Sequence, residues 1–264
     1  MACITLLSDF GLQDASVAAA KGIIMQHVAD APIVDISHLV EPYHLQQAAY
    51  LLSATYRNFP EGTCHIQLFD IFSGKSPALV LCEMDGHYFL APDNGLLPLA
   101  FNKVPQYVWK CFELNAQGTL KDWLHEAGRL AKQLQQHKPG DLGLNKCELK
   151  NAPQHWRPLI GTDMAECHVI HIDRFENVIV NITREEFEQV RNGRAFRIEF
   201  MRDEQINSIS NHYSNVREGE ELCRFNSTGY LEIAINRGKA ASLFGLKLNN
   251  EKHVIYNTIK IFFE

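Results

Sequence analysis

The chain has 264 residues, enough for one large domain or two modest ones, with the 46% apolar and 21% charged content of an ordinary globular protein. A formal charge of −6 without a long basic run argues against a polyanion-binding surface, which clusters Lys and Arg. No stretch approaches the roughly 20 apolar residues that span a bilayer, and Met1 to Phe10 has neither a basic lead nor a small-residue cleavage site, so no signal peptide is expected.

Along the first half, strand and helix signals alternate. Ile4 to Ser8 is an apolar run ending at Asp9-Phe10-Gly11. Asp14 to His27 carries Val17, Ala20, Ile23 and Ile24 at helical spacing. Ile33 to Ile36 is a second strand and Leu45 to Tyr56 a second helix, closed by the turn Pro60-Glu61-Gly62. His65 to Asp70 is a third strand. Ala78 to Met84 and His87 to Ala91 flank Asp85-Gly86, a two-residue hairpin signal. Asp122 to His137 reads as a helix. This order predicts an α/β N-terminal domain, residues 1–140, with a mostly parallel sheet covered by helices.

Residues 141–158 read as a linker, and Lys138-Pro139-Gly140 marks its approach. Beyond it strand signals dominate: Cys167 to Ile172, Val178 to Ile182, Phe196 to Phe200, Leu231 to Ile235 and Val254 to Phe263, with Arg184 to Asn192 as the one clear helix. Residues 159–264 are therefore expected to form a small all-β, barrel-like C-terminal domain.

Seven cysteines are scattered, odd in number and never spaced as Cys-x-x-Cys. That pattern predicts reduced, buried thiols in a cytoplasmic protein, with neither a disulfide framework nor a zinc site. The histidines show no His-x-x-x-His pair, and His168 and His171 fall on opposite faces of a strand.

Asp9, Asp35 and Asp70 stand at the ends of predicted strands. Ligands of open α/β sheets bind there, although Asp also suits helix N-caps and turns. Gly11 and Gly22 form no Gly-x-Gly-x-x-Gly, and no phosphate-cradling loop occurs. A nucleoside without a phosphate tail fits better, since one carboxylate can accept both ribose hydroxyls.

Longer motifs point the same way: Ser8-Asp9-Phe10-Gly11-Leu12-Gln13-Asp14-Ala15-Ser16-Val17 with Lys21-Gly22, Asp35-Ile36-Ser37-His38 with Pro42-Tyr43, Phe59-Pro60-Glu61-Gly62-Thr63, and Ala91-Pro92-Asp93-Asn94-Gly95-Leu96. Ile172-Asp173-Arg174-Phe175-Glu176-Asn177 and Asn226-Ser227-Thr228-Gly229-Tyr230-Leu231-Glu232-Ile233-Ala234 follow in the second half. In this order they resemble the S-adenosylmethionine (SAM) hydroxide adenosyltransferases and their fluorinase and chlorinase relatives. The resemblance implies attack of water or hydroxide on the ribose 5′-carbon of SAM, giving adenosine and L-methionine. SAM is the substrate and no cofactor is needed. It also implies a homotrimer binding SAM between the N-domain of one subunit and the C-domain of its neighbour, with no nucleic-acid or membrane partner.

Carried over, Asp9 would hold the ribose hydroxyls. Asp14 and Ser16 would hold the methionine amino and carboxylate groups, helped by Asp173 and Ser227. Tyr43 would pack near the ligand, Phe175 would stack on adenine, and Asn177 with the backbone at Ala240 would read its edge. Read as residues alone, Phe175 also suits a core position and Asn177 a turn.

The hydroxide-transferring members hold their water with an Asp, an Arg and a His. The Asp is Asp70, but Ile71-Phe72-Ser73-Gly74-Lys75-Ser76-Pro77 replaces the stretch leading to the Arg, and no arginine lies between Arg57 and Arg129. Thr119-Leu120-Lys121-Asp122 lacks the His, His125 is expected to point away, and Glu176 replaces a family Gly. Asp70, alone or with Lys75 or Lys121, would then position water. The alternative is a catalytically impaired SAM- or adenosine-binding protein acting as sensor or store. An α/β-hydrolase reading is disfavoured because no Gly-x-Ser-x-Gly elbow occurs.

Overall fold

The computed structural model describes residues 2–74, 77–101, 105, 107–114, 117–150, 157–201, 204–248 and 258–264. The chain divides into two compact units, Met1–Pro153 and Gln154–Glu264.

The first unit runs β1 (Ile4–Ser8), α1 (Ser16–Met25), β2 (Ile33–Ser37), α2 (Leu45–Thr55), β3 (Cys64–Leu68), β4 (Ala78–Met84), β5 (His87–Pro92), α3 (Leu96–Phe101), β6 (Tyr107–Glu113), α4 (Leu120–Gln133) and β7 (Asn145–Lys146). One mixed sheet orders these strands β2-β1-β3-β5-β4-β6-β7. Pairing is parallel from β2 through β1 and β3 to β5, and antiparallel from β5 through β4 and β6 to β7. β7 lies within the stretch read as a linker, while residues 151–156 of that stretch fall outside the described residues.

Every residue of β1 and β3 is buried, as strands with both faces covered require. Ile4, Leu6, Ile66 and Leu68 pack with Ala20 and Ile24 of α1 and with Trp123, Leu124, Ala127 and Leu130 of α4. Each buried Leu or Ile among them contributes about 1.5–3 kcal/mol. The α1–α4 approach needs Gly128, where a β-carbon would stand 2.7 Å from the His27 ring. The intervening positions face the other way. His65 stacks on Phe89, and Phe89 meets Tyr56 and Phe101 edge-to-face beside α2 and α3. Asp85 (φ +50°) and Gly86 (φ +77°) turn the β4–β5 hairpin with two left-handed residues, as the Asp-Gly pair predicts.

The second unit runs β8 (Leu159–Ile160), β9 (Met164–Ile172), β10 (Val178–Thr183), α5 (Arg184–Arg191), β11 (Phe196–Met201), β12 (Glu204–Ile206), β13 (Glu221–Phe225), β14 (Tyr230–Ile235), α6 (Ala240–Phe244) and β15 (Thr258–Phe263). Its eight-stranded sheet follows β12-β11-β15-β9-β10-β14-β13, with β8 on β9, and the ladders are antiparallel. A bridge from Ile209 to Cys223 joins the segment after β12 to β13, so the sheet nearly closes into a barrel. Phe187 of α5 fills the middle, meeting Phe196, Phe225 and Phe263 edge-to-face at 5.1–5.5 Å. α5 opens on a Thr183–Glu186 capping box and ends at Asn192 in the left-handed region.

Several elements escape a reading of the sequence, α3, β6, β7 and β8 in addition to α6, β12 and β13. α6 has five residues, too few to display a 3.6-residue period. In β13 the apolar run is broken by Arg224, and β12 has three residues. Residues 254–257 of the last expected strand fall outside the described residues.

The cysteines are free thiols, and Cys3, Cys64, Cys82, Cys167 and Cys223 are buried. Burial pushes Cys64 and Cys82 up to about 12, and Cys167 and Cys223 upward as well. Among the described residues no helix is long and apolar enough to cross a membrane.

Candidate active site

In the first unit the parallel strands end at one edge, and the chain leaves them at Asp9 after β1 and Asp70 after β3. The two carboxyls lie within electrostatic reach. Burial raises Asp9 above its ordinary range, and the Asp70 charge adds to the rise. Hydrogen bonds from its own backbone and from that of Tyr43 oppose it. Asp70 is raised by burial, with no cation contributing. Its backbone sits at φ +46° and that of Tyr43 at φ +65°, conformations that cost a non-glycine residue about 1 kcal/mol or more. The structure thus brings Asp9, Tyr43 and Asp70 together and leaves the Tyr43 ring 76% exposed.

Behind Asp9 lies a polar brace, buried at Ser8 and His38 and open to solvent at Asp35 and Lys21. Ser8 Oγ is 2.6 Å from His38 Nδ1, His38 Nε2 is 3.0 Å from Asp35 Oδ1, and Lys21 Nζ donates to Asp35 Oδ2 at 2.6 Å. Burial pushes Asp35 upward, but Lys21 and His38 outweigh it and hold the carboxyl below its ordinary range. The Gly11 N–H donates to the His38 carbonyl at 2.7 Å. These are the residue types of a nucleophilic triad, yet Ser8 is fully buried and no substrate can reach it. The set instead holds the backbone on both sides of Asp9. Asp35, expected at a strand end as a candidate ligand carboxylate, lies in the middle of β2 and serves instead as the end of this brace.

Asp14 and Ser16 stand together at the start of α1. The Ser16 N–H donates to Asp14 Oδ1 at 2.8 Å, and hydrogen bonds from Ser16 hold the Asp14 carboxyl below its usual range. Both side chains are near the surface.

The second unit gathers Asp173, Phe175, Asn177 and Ala240. Asp173 Oδ1 accepts the N–H groups of Phe175 (2.8 Å) and Asn177 (2.9 Å), and its Oδ2 accepts Asn177 Nδ2 at 3.0 Å. This tightens the turn between β9 and β10 and buries Asn177, while Phe175 is 73% exposed and is not a core residue. Asn177 Nδ2 also lies 3.5 Å from the Tyr213 hydroxyl, which donates to Glu232 Oε1 at 2.7 Å beneath the Arg224 guanidinium. Burial and Glu232 push Tyr213 up to about 12. Ser227 is not brought to this group. It sits in the β13–β14 turn at the far end of the β10–β14 ladder, on the order of 15 Å away along the strand. A ligand touching both must be extended.

Tyr213, Arg224 and Glu232 do not stand out in the sequence, because Glu232 lies in a strand that otherwise reads as apolar core. Lys150 is equally inconspicuous there: its Nζ is 4.0 Å from where a β-carbon on Gly74 would stand, just beyond Asp70.

Residues 4–135 match the model of the SAM hydroxide adenosyltransferase N-terminal domain, and residues 167–252 that of the C-terminal domain. The chain belongs to the SAM hydroxide adenosyltransferase family. It is 25% identical to a protein of Methanocaldococcus jannaschii named (R)-S-adenosyl-L-methionine hydrolase, over 96% of this chain and 95% of that one. A Thermus thermophilus protein of the same name is 27% identical over 92% and 96%. The fold is shared with an uncharacterized conserved protein from Thermotoga maritima, at TM-score 0.78 and 24% identity over 98% of this chain and 99% of that one.

In this SAM hydroxide adenosyltransferase family member no Arg or His is seen to act on Asp70 among the described residues. The flanking arginines are engaged elsewhere, Arg57 with Asp85 and Arg129 with Glu126 and Gln133. His125 lies between α1 and α4, its Nδ1 3.0 Å from His27 Nε2. Lys121 is exposed on the first turn of α4, and Lys75 lies outside the described residues.

Proposed function

We propose that this protein is an enzyme that hydrolyses SAM to adenosine and L-methionine, by attack of water or hydroxide on the ribose 5′-carbon. The observation that carries the reading is the placement of Asp9 and Asp70 where β1 and β3 end, two partly buried carboxyls beside which a cationic ligand is favoured. SAM brings a sulfonium and an ammonium. The sulfonium leaves readily, so what the protein must supply is water oriented in line with the C–S bond. Asp70 suits that role, because a carboxylate raised above its ordinary range by burial is a stronger base than one in water.

In this reading Asp9 accepts the ribose hydroxyls, and Asp14 and Ser16 bind the amino-acid end with Ser227. Asp173, whose carboxylate already accepts the Phe175 and Asn177 groups, shapes the turn at the adenine end and does not make the amino-acid contact expected of it. Tyr43 packs beside the ligand. Phe175 stacks on adenine, and the backbone at Ala240 reads its edge. Asn177 directs its amide donors at Asp173 and Tyr213, so its contribution to adenine would come through Oδ1. Homotrimeric assembly is part of the proposal; light scattering tests it, and a mass near three times the 30.0 kDa of one chain is the expected result.

A second reading is a SAM- or adenosine-binding sensor with impaired turnover. It is favoured by the absence of any cation acting on Asp70 among the described residues. Incubation with SAM and chromatography for adenosine separates the two, with Asp70→Ala as control. Adenosine that disappears in the variant supports hydrolysis. Tight calorimetric binding without product supports the sensor, and no binding at all removes both. Asp9→Ala is expected to weaken adenosine binding; unchanged affinity takes Asp9 out of the site.

A further inference from the structure

The β9–β10 turn carries Glu176 at φ +62°, the left-handed conformation that glycine adopts freely and glutamate does not. The side chain explains how glutamate is held there. One carboxylate oxygen accepts Lys239 Nζ at 2.7 Å. The other accepts the Ser242 N–H at 3.1 Å and the Ser242 hydroxyl. The Glu176 carbonyl accepts the Ala241 N–H at 3.0 Å. One residue therefore ties the turn bearing the exposed Phe175 ring to the first turn of α6, through its backbone and both carboxylate oxygens. The N–H groups of Ala241 and Ser242 are both committed to Glu176, so backbone reading of a base edge in this segment falls to Lys239 and Ala240.

From this geometry we propose that Glu176 is a positioning residue, which locks the Phe175 turn against α6 before ligand arrives and thereby sets affinity for the adenine end of the substrate. The proposal rests on the reading of Phe175 and Ala240 as adenine contacts. Asp173 fixes the turn from within, by accepting the Phe175 and Asn177 N–H groups. Glu176 fixes it from outside, by anchoring it to a second element. An exposed ring on an unanchored turn samples many orientations and loses that freedom on binding; an anchored ring loses less. The effect belongs in KM and not in kcat, because Glu176 acts through Phe175 and not on the reacting carbon.

The test compares Glu176→Gly, Glu176→Gln and the parent protein. Glycine relieves the backbone conformation and removes the anchor, so misfolding is not the expected outcome. Glutamine keeps the reach and most hydrogen bonds but loses the charge. The first measurement needs no ligand: amide exchange at Ser242 is expected to quicken about tenfold or more in Glu176→Gly and less in Glu176→Gln. The second is steady-state kinetics with SAM, where Glu176→Gly is expected to raise KM about tenfold with kcat within about twofold, and Glu176→Gln to restore most of the loss. Parent-like exchange and KM in Glu176→Gly overturn the proposal while the hydrolase reading stands. A fall in kcat with unchanged KM also overturns it. A parent protein that binds neither SAM nor adenosine overturns the hydrolase reading, and the affinity role of Glu176 with it.

Discussion

Ser8 Oγ lies 2.6 Å from His38 Nδ1, while the backbone carbonyl of the same histidine receives the Gly11 N–H at 2.7 Å. His38 thus grips the chain one residue before Asp9 and two residues after it. His38→Ala leaves the buried Ser8 hydroxyl without this partner and is expected to cost about 1–3 kcal/mol of stability. It is also expected to weaken adenosine binding through the displaced Asp9. Urea unfolding and calorimetry read the two effects, and a variant with unaltered affinity would show that Asp9 holds its place without the brace.

Asp70 combines a left-handed backbone with a carboxyl whose ionisation burial disfavours. Asparagine tolerates that backbone and carries no charge. Asp70→Asn is expected to lower kcat by ~10²–10⁴ without lowering Tm, since it removes repulsion with Asp9. A substantial fall in Tm would make Asp70 a structural residue first.

The pH–rate profile follows from the same group. Asp70 must be ionised to accept a proton, and its pKa is raised, so kcat/KM is expected to climb with pH along a limb whose midpoint lies above the ordinary 3.8. An acid limb at or below that value speaks against Asp70 as the base.

His65 is fully buried between Thr5, 2.7 Å from its Nδ1, and His87, 3.2 Å from its Nε2. Burial, with His87 adding to it, lowers its pKa to about 3. The unfolded chain takes up this proton near pH 6.5 and the folded one does not. Its contribution is therefore intact above pH 6.5 and is lost as pH falls toward 3. Between pH 6.5 and 5.0 the loss is about 2 kcal/mol. Urea midpoints across that interval should show it, and His65→Gln should flatten the slope. An equal slope in the variant assigns the acid sensitivity elsewhere.

Phe175→Ala is expected to leave stability within about 0.5 kcal/mol, because the ring is exposed. Its loss should weaken adenosine binding by about 1–3 kcal/mol, roughly 5- to 150-fold, if the ring stacks on the base. Titration of adenosine against the variant measures it, and parent-like affinity would remove Phe175 from the adenine contacts.

The strands of the first unit are legible because Ile4–Ser8 is rich in apolar residues and Cys64–Leu68 alternates them with His65 and Gln67, and the hairpin because Asp85-Gly86 demands one turn type. The candidate carboxylates are legible because Asp follows those strands. What the sequence does not disclose depends on distant partners. Nothing local says that His38 reaches Ser8, that Tyr213 meets Glu232, or that Lys150 stands beside Gly74. Nothing local says that Asp70 and Glu176 adopt a backbone usually left to glycine, since each is held there by its surroundings. β7 escapes notice because two residues carry no alternation.

The sealed thiols can be made to keep time. Cys64 and Cys82 belong to the first unit, Cys167 and Cys223 to the second, and each becomes alkylatable only when its own surroundings open. Pulses of an alkylating reagent, read peptide by peptide in a mass spectrometer, would therefore clock the opening of each half of the chain independently, with no engineered label in either.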